Sequence, residues 1–284
     1  MNKCSSHHVY NASAYGFAAE LERPTRHSIP TQAGAVLAAS GGRGVGRIHG
    51  FKFDGVISVE DAYSEVGGSY DDSHNLHTTY AFSVLEGVNI ADVLTADRIV
   101  SRLSIYVSAD PKKDSEPRFD ITGSHFENLK IAGHKVDVKL ATDVFHKLQK
   151  YSEIVAGNRD EWLVGSKLGA LGDEALKELE HDYHGLSDLV KAWKKKGERP
   201  QDEGILFSPA NHLRLQEHGV SPEVLGFGNM IFVPKFGVIR LAELVVHKRC
   251  RSLTMFHIYM CSVGTGGTSG GGTGGSGGSG TSGG

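Results

Sequence analysis

The chain carries 15 histidines, enough that close pairs arise by chance. His181 and His184, in the run HDYH, stand three residues apart and would share one face of a helix. Zinc asks for three or four ligands in a tetrahedral array. Asp182 does not share that face and no third ligand accompanies the pair, so both read as solvated helix surface. His7 and His8 are adjacent, a poor arrangement for a shared metal, and His74 and His77, in HNLH, fall in a turn. Asp71 and Asp72 offer oxygens to calcium, but the regular acid spacing of a calcium loop is missing around them. No metal and no cofactor is assigned.

Nucleophilic catalysis fares no better. It needs a serine or cysteine beside a positioned histidine and acid, and no G-x-S-x-G elbow is present. Ser124 and His125 are neighbours on an expected strand and so point to opposite faces. Cys261 precedes a tail and reads as a strand residue. Glycoside hydrolysis needs paired carboxylates that meet in space rather than in sequence; Glu127 and Glu243 are the acids to inspect first. The run GGRGVGRIHG, at 41–50, suggests a phosphate cradle. Such cradles work because a helix N-terminus follows, and here Phe51, Phe53, Ile57 and Val59 continue with strand alternation. The run is read as a flexible turn feeding a strand. No catalytic residue is assigned.

The elements that would position these groups are mostly strands. Ile99, Leu103, Ile105 and Val107 lie on one face of a period-2 ribbon, and Arg102, Ser104, Tyr106 and Ser108 lie on the other. Similar alternation runs from Thr78 to Val138, broken by Gly, Pro and Asp turns. At Ala141 the period changes. Val144, Leu148 and Tyr151 keep helical spacing up to Gly157, and Leu176, Leu179, Leu186, Leu189, Val190 and Trp193 mark a longer helix over 173–196. Lys194, Lys195 and Lys196 suit the C-terminal end of its dipole. Strand character returns at Phe227. The run from Ile239 to Val246 reads as a strand covered on both faces, in which Glu243 is costly unless paired or at an edge.

The expected organisation is a loose N-terminus at 1–11, the first part of a β domain at 12–140, a helical insertion at 141–221, closing strands at 222–263 and a disordered Gly/Ser/Thr tail at 264–284. The fold class is mainly β, an antiparallel sandwich-like domain.

Of 284 residues, 39% are hydrophobic and the net charge is −3, which argues against nucleic acid as a partner. No run approaches the ~18 apolar residues of a membrane-spanning helix. Cys4, Cys250 and Cys261 are odd in number and widely spaced, which argues against a disulfide framework. Residues 1–20 lack the apolar core of a signal peptide, which favours the cytoplasm or a leaderless route out of it.

The segments LTADRIVSRLSIYVSADPK, GSHFENLKIAGHKVDV and GNMIFVPKFGVIRLAELVVHKRCRSLTMFHIYM occur in this order. Their pattern resembles that of the bacterial "choice-of-anchor" P-type β proteins, over roughly 75–140 and 227–260. Asn128, Leu129, Asn229, Pro234, Gly237 and Glu243 occupy pattern positions and are read as fold-defining. The resemblance implies association with the bacterial surface or with secretion and brings no catalytic residues with it. The helical insertion and the missing leader are departures from it.

The functional expectation is a non-enzymatic structural or adhesive β module of a bacterium, self-associating through exposed sheet edges. The alternative is a glycan-binding module whose stacking rings are Tyr63, Tyr70, Tyr80 and Tyr106. A hydrolase with carboxylate or histidine chemistry is the third.

Overall fold

The computed structural model describes residues 8–21, 27–110, 116–156, 205–215, 225–227, 229–233, 236–247, 250–260 and 266–273. β1 (Ser13–Leu21), β2 (His27–Gln32) and β3 (Ala35–Val36) come first. A meander of long strands follows: β4 (Gly42–Phe53), β5 (Ile57–Asp71), β6 (Leu76–Ile90) and β7 (Leu94–Ser108). Four shorter strands come next: β8 (Arg118–Asp120), β9 (His125–Glu127), β10 (Lys130–Ile131) and β11 (His134–Leu140). After two short helices, α1 (Thr142–Lys147) and α2 (Tyr151–Ala156), come β12 (Ile205–Phe207), β13 (Ala210–Leu215), β14 (Leu225–Phe227) and β15 (Met230–Val233). β16 (Gly237–Val246), β17 (Arg251–Met260) and β18 (Gly266–Thr273) end the series.

These strands make two antiparallel sheets. The first runs β14-β15-β16-β17-β18-β1-β2, with β12 added beside β16 and β3 beside β1. The second runs β13-β11-β10-β7-β6-β5-β4, with β8 and β9 added beside β7. The chain is therefore the mainly β, antiparallel, sandwich-like domain that the alternation predicts. The residues that alternate inward in the meander, such as Ile99, Leu103 and Ile105, share one buried cluster with Ile239, Leu241, Leu253 and Ile258 of the other sheet. Both β-rich parts of the sequence thus build a single core. A smaller cluster of Tyr10, Ala12, Ala14, Ala35, Leu37, Val66 and Ala81 lies apart from it. Arg251 adds a polar tie: its buried guanidinium donates to the Pro117 carbonyl at 3.2 Å and lies 5.9 Å from the Phe119 ring centroid.

Several elements differ from the sequence expectation, each for a local reason. GGRGVGRIHG is not a turn before a strand; from Gly42 onward it is strand β4 itself. Its glycines serve close approach. A Cβ on Gly46 would fall 2.3 Å from the Gly34 carbonyl oxygen, and one on Gly44 would fall 2.6 Å from that of Val36. Likewise β5 extends to Asp71, so the turn in GGSYDDSHN is confined to its end, where the Asp71 carboxylate accepts hydrogen bonds from the Ser73 and His74 amides.

The first predicted helix is two. It breaks at Leu148 (φ −113°, ψ 74°), beside Gln149, whose carbonyl accepts the Phe119 amide at 2.9 Å. The Glu153 carboxylate accepts the Gln149 and Lys150 amides and starts α2. Val144, Leu148 and Tyr151 pack against the core, as their spacing implies. Strand structure resumes within 141–221: β12 pairs with β16 and β13 with β11. The helix expected over 173–196, with His181, His184 and the lysine run, lies outside the described residues, as do Cys4, His7, Pro234 and Cys261. The tail is not coil throughout, since Gly266–Thr273 forms β18 between β17 and β1. Glycine, serine and threonine bury almost no apolar surface, but the ladder groups of the two flanking strands give their backbone partners.

No helix among the described residues is long and apolar enough to cross a membrane.

Gly46 gives a direct test of the close approach. Backbone atoms cannot yield to an added methyl, so Gly46→Ala should destabilise the fold by about 1–3 kcal/mol. Gly34→Ala meets only the Thr31 methyl at 3.4 Å and should change stability little. Thermal unfolding of the two variants beside the parent checks the contrast.

Candidate functional site

The sequence-nominated groups do not gather at one place. Glu127 lies at the margin of the second sheet, where its Oε1 is 2.9 Å from His125 Nε2, while Glu243 is buried in the first sheet and ion-paired to Arg240 at 2.6 Å. The two acids are not a catalytic pair. Ser124 and His125 point to opposite faces, as expected. Ser124 is buried with its hydroxyl bonded to both backbone groups of Arg102, and His125 is exposed. Asp71 spends its oxygens on Ser73 and His74 and is held down to about 2, chiefly by the Ser73 hydroxyl. Among the described residues, no group of three or more His, Cys, Asp or Glu is placed to hold a metal.

What the fold does gather is on the outer face of β4–β7. The core fixes the inner face, the residues between the core positions point outward, and the pairing sets them in rows. His49, Asp61, Glu86, Arg98 and Glu127 are successive partners across five strands. Beside that row run Arg47, Tyr63, Val84, Val100 and His125. A third row holds Val45, Glu65, Phe82 and Arg102, and a fourth Arg43, Gly67, Tyr80 and Ser104.

Glu65 braces this face. Its carboxylate accepts Arg43 Nε and Nη2, each at 2.8 Å, the Tyr80 hydroxyl at 2.6 Å and the Tyr63 hydroxyl. The Arg43 hydrogen bonds, above all, hold the carboxyl down to about 2 against the opposing effect of its burial. The hydrogen bond to Glu65, and then burial, raise the Tyr63 hydroxyl, and burial first and Glu65 second raise that of Tyr80. The Tyr80 ring lies over Gly67, where a Cβ would come within 2.2 Å of it, so only glycine fits beneath.

Next to the brace is a shallow concavity of about 240 Å³, lined by Arg47, Asp61, Tyr63, Phe82, Val84, Glu86 and Arg98. Tyr63 and Phe82 meet edge to face, with centroids 6.4 Å apart. One wall is a two-point ion pair: Arg47 Nε and Nη2 donate to Asp61 at 3.2 and 2.9 Å. His49 adds a contact to Asp61 at 2.6 Å. The Asp61 carboxyl is lowered, chiefly by the Arg47 hydrogen bonds. The other wall is looser. Arg98 Nε lies 3.5 Å from Glu86 and Nη1 lies 4.0 Å from Glu127, and Nε is buried without a hydrogen-bond partner. The Arg98 guanidinium is the least committed donor of this group.

Of the four rings named from sequence, Tyr63 and Tyr80 belong to this site. Tyr106 is on the same outer face, opposite Thr78. Tyr70 falls on the other face of β5, where its hydroxyl donates to Asn75 Oδ1 and its ring lies 5.0 Å from that of His77. Alternation does not mark all of Arg47, Asp61, Glu65, Phe82 and Arg98 as outward-facing, because the inward parity of these strands changes beside Gly50 and Gly87, both at positive φ. It does not reveal the cross-strand register that brings them together, and sequence reading missed them.

Away from this face, His8, Tyr10 and His77 form a cluster. The imidazoles of His8 and His77 stack with centroids 4.0 Å apart, and the Tyr10 hydroxyl lies 2.9 Å from His77 Nδ1. Desolvation by burial, and then the neighbouring His77, pushes His8 down to about 4. Burial lowers His77 as well.

Residues 8–247 match the family described as "Domain of unknown function (DUF8256)", and the chain belongs to that family. No curated protein and no solved structure matches the chain.

The histidine stack predicts a pH dependence. His8 protonates at about 4 when folded and near 6.5 when unfolded. The unfolded chain therefore binds the proton first, so the contribution of the stack is complete above pH 6.5 and is lost as pH falls towards 4. The thermal midpoint should decline over that interval, and less so in His8→Phe. A titration of the His8 ring followed by NMR that centres at or above 6.5 would contradict the burial.

Proposed function

We propose that this chain is a non-enzymatic binding module that takes a neutral oligosaccharide on the outer face of β4–β7. The observation that carries the reading is the concavity beside Glu65, with its floor of Tyr63, Phe82 and Val84 between two opposed charge pairs. A sugar presents one apolar ring face and a rim of hydroxyls. The floor suits the first, and aromatic rings supply contact area at low entropic cost.

The rim needs donors and acceptors side by side. Arg47 with Asp61 provides them on one wall, and Arg98 with Glu86 on the other. Adjacent hydroxyls accept from a guanidinium and donate to a carboxylate at once. The two signs are interspersed along the rows, which favours an uncharged ligand over an anion or a cation. Glu65 keeps both tyrosine rings in place before a ligand arrives, which lowers the ordering cost of binding.

A surface-associated adhesive use accords with the resemblance to the choice-of-anchor proteins. Self-association through the edge of β4 has less behind it. That edge displays Arg43, Arg47 and Lys52 and contains Gly50 at φ +63°, features with which natural sheets discourage edge pairing.

Binding of the full chain to a panel of neutral oligosaccharides, followed by titration calorimetry, tests the reading. Arg98→Ala should weaken binding about 10- to 100-fold, as expected for a hydrogen bond to a charged group worth ~1.5–3 kcal/mol. Phe82→Ala should weaken it further while leaving the unfolding transition cooperative. A panel without a binder, or affinities indifferent to both substitutions, would remove the proposal.

A further inference from the structure

Strand β18 sits inside the first sheet rather than at its edge. It pairs antiparallel with β17, from Phe256↔Gly270 to Met260↔Gly266. On its other side it pairs with β1, from Ser13↔Thr273 to Ala19↔Thr268. Among the described residues no other strand joins β1 to β17. The flanking strands are anchored in the shared core through Phe17 and Ala19 on one side and Phe256 and Ile258 on the other. The sheet thus contains a slot one strand wide, with walls held by side-chain packing.

The strand that fills the slot has the sequence GGTSGGGT. It is held by its backbone hydrogen bonds, since the sequence supplies no large apolar side chain to lock it in place. Register is weakly specified in glycine-rich strands, and such strands are prone to alternate pairing and exchange between molecules. The pairing with β1 already shifts between Tyr15 and Phe17. The link to the body is residues 261–265 alone, between β17 and β18.

We propose that the slot between β1 and β17 is a strand-acceptor site, and that its occupant at high concentration is the β18 tail of a second copy. Reciprocal exchange fills both slots with the identical ladder and closes on a two-fold axis. Own tail and partner tail make the same backbone bonds, so concentration decides between them. A foreign strand would leave the displaced glycine-rich tail with unpaired backbone groups, whereas exchange between copies leaves none. The inference does not depend on the oligosaccharide reading, which concerns the other sheet.

Sedimentation equilibrium of the full chain across a wide concentration range should show a shift from the mass of one chain to that of two. Gly270 faces Phe17 on one side and Phe256 on the other. Gly270→Pro removes a ladder donor and should abolish the dimer. A parent chain that stays monomeric throughout, or a dimer that survives Gly270→Pro, overturns the proposal.

A second measurement covers the case in which that variant fails to fold. Ala18 and Ser269 are register partners. Ala18→Cys is made in an isotope-labelled copy and Ser269→Cys in an unlabelled one, both with Cys4, Cys250 and Cys261 changed to Ser. Mixing the two at high concentration under oxidation should give a disulfide between labelled and unlabelled chains. Failure to link, while the double variant Ala18→Cys/Ser269→Cys closes only within one chain at every concentration, overturns the exchange. Failure of every variant to link overturns the occupied slot itself.

Discussion

The inward alternation of β5, β6 and β7 is the constraint on which the rest of the structure depends. Each of these strands is 15 residues long. Ile57, Val59 and Ala62 on β5, Leu85 and Val88 on β6, and Ile99, Leu103 and Ile105 on β7 all enter one buried cluster. Fully burying a side chain of the Leu or Ile kind is worth about 1.5–3 kcal/mol. Over a stretch of unbroken alternation such as Ile99 to Ile105, a slip of one residue would turn the apolar face to water, which fixes the register there.

The inward parity of this layer changes once in each strand, between Val59 and Ala62, between Leu85 and Val88 and between Ala96 and Ile99, beside Gly87 at φ +59°, and the opposing sheet shows the same device. On β16, Ile239 and Leu241 enter the core, and then Leu244 and Val246 do, so the alternation slips by one residue between them. β17 slips with it: Leu253 and Met255 are core residues, and so are Phe256 and Ile258. The pairing register does not change across the slip, since Leu241↔Phe256 is followed by Glu243↔Thr254. The accommodation is at Ala242, whose φ is +49°. Buried Asn229 holds the irregular backbone by donating from Nδ2 to the Leu241 carbonyl and accepting the Leu241 amide on its own carbonyl.

One consequence is chemical. Residues three apart on a regular strand point to opposite faces, yet Arg240 and Glu243 form a buried ion pair at 2.6 Å. The slip at Ala242 turns them to the same side. There His257 Nδ1 lies 3.0 Å from Arg240 Nη2 and 3.7 Å from Glu243 Oε2. Breaking such a buried pair by removing one partner typically costs about 3–5 kcal/mol.

These particulars show what sequence reveals and what it hides. The period-2 rhythm from Thr78 to Val138 was legible because one face of the meander packs on the core and the other does not. Glu243 was legible as an acid needing a partner, because the apolar residues around it mark a covered strand. Arg240 was not legible as that partner, since the pairing requires a positive φ at an alanine, which nothing in the local sequence signals. GGRGVGRIHG was misjudged because glycine has two uses. Here the absent side chain matters more than turn formation, as the backbone at Gly34 and Val36 occupies the space. The strands at 205–215 and the paired part of the tail were missed because they are recruited by the edges of distant strands and carry little alternation of their own.

The same logic explains why the outer face can serve as a preorganised surface. Its residues have no freedom of register, because the core fixes which strand positions stand opposite one another. Asp61, Glu86 and Arg98 fall in one row whether or not anything binds there, and Glu65 meets Phe82 two rows away. Exposed ion pairs on such a row add little stability, with ~0–1 kcal/mol typical, so their arrangement is not demanded by folding. The brace at Glu65 goes further. It commits one carboxylate to a guanidinium and two tyrosine hydroxyls, which fixes the Tyr63 ring beside Phe82 on the floor of the concavity. A sheet that needed only solubility on this face could scatter charges without that order. The ordered polar wall around an aromatic floor thus goes beyond what solubility asks of a sheet surface, and that excess order is the premise of the oligosaccharide proposal.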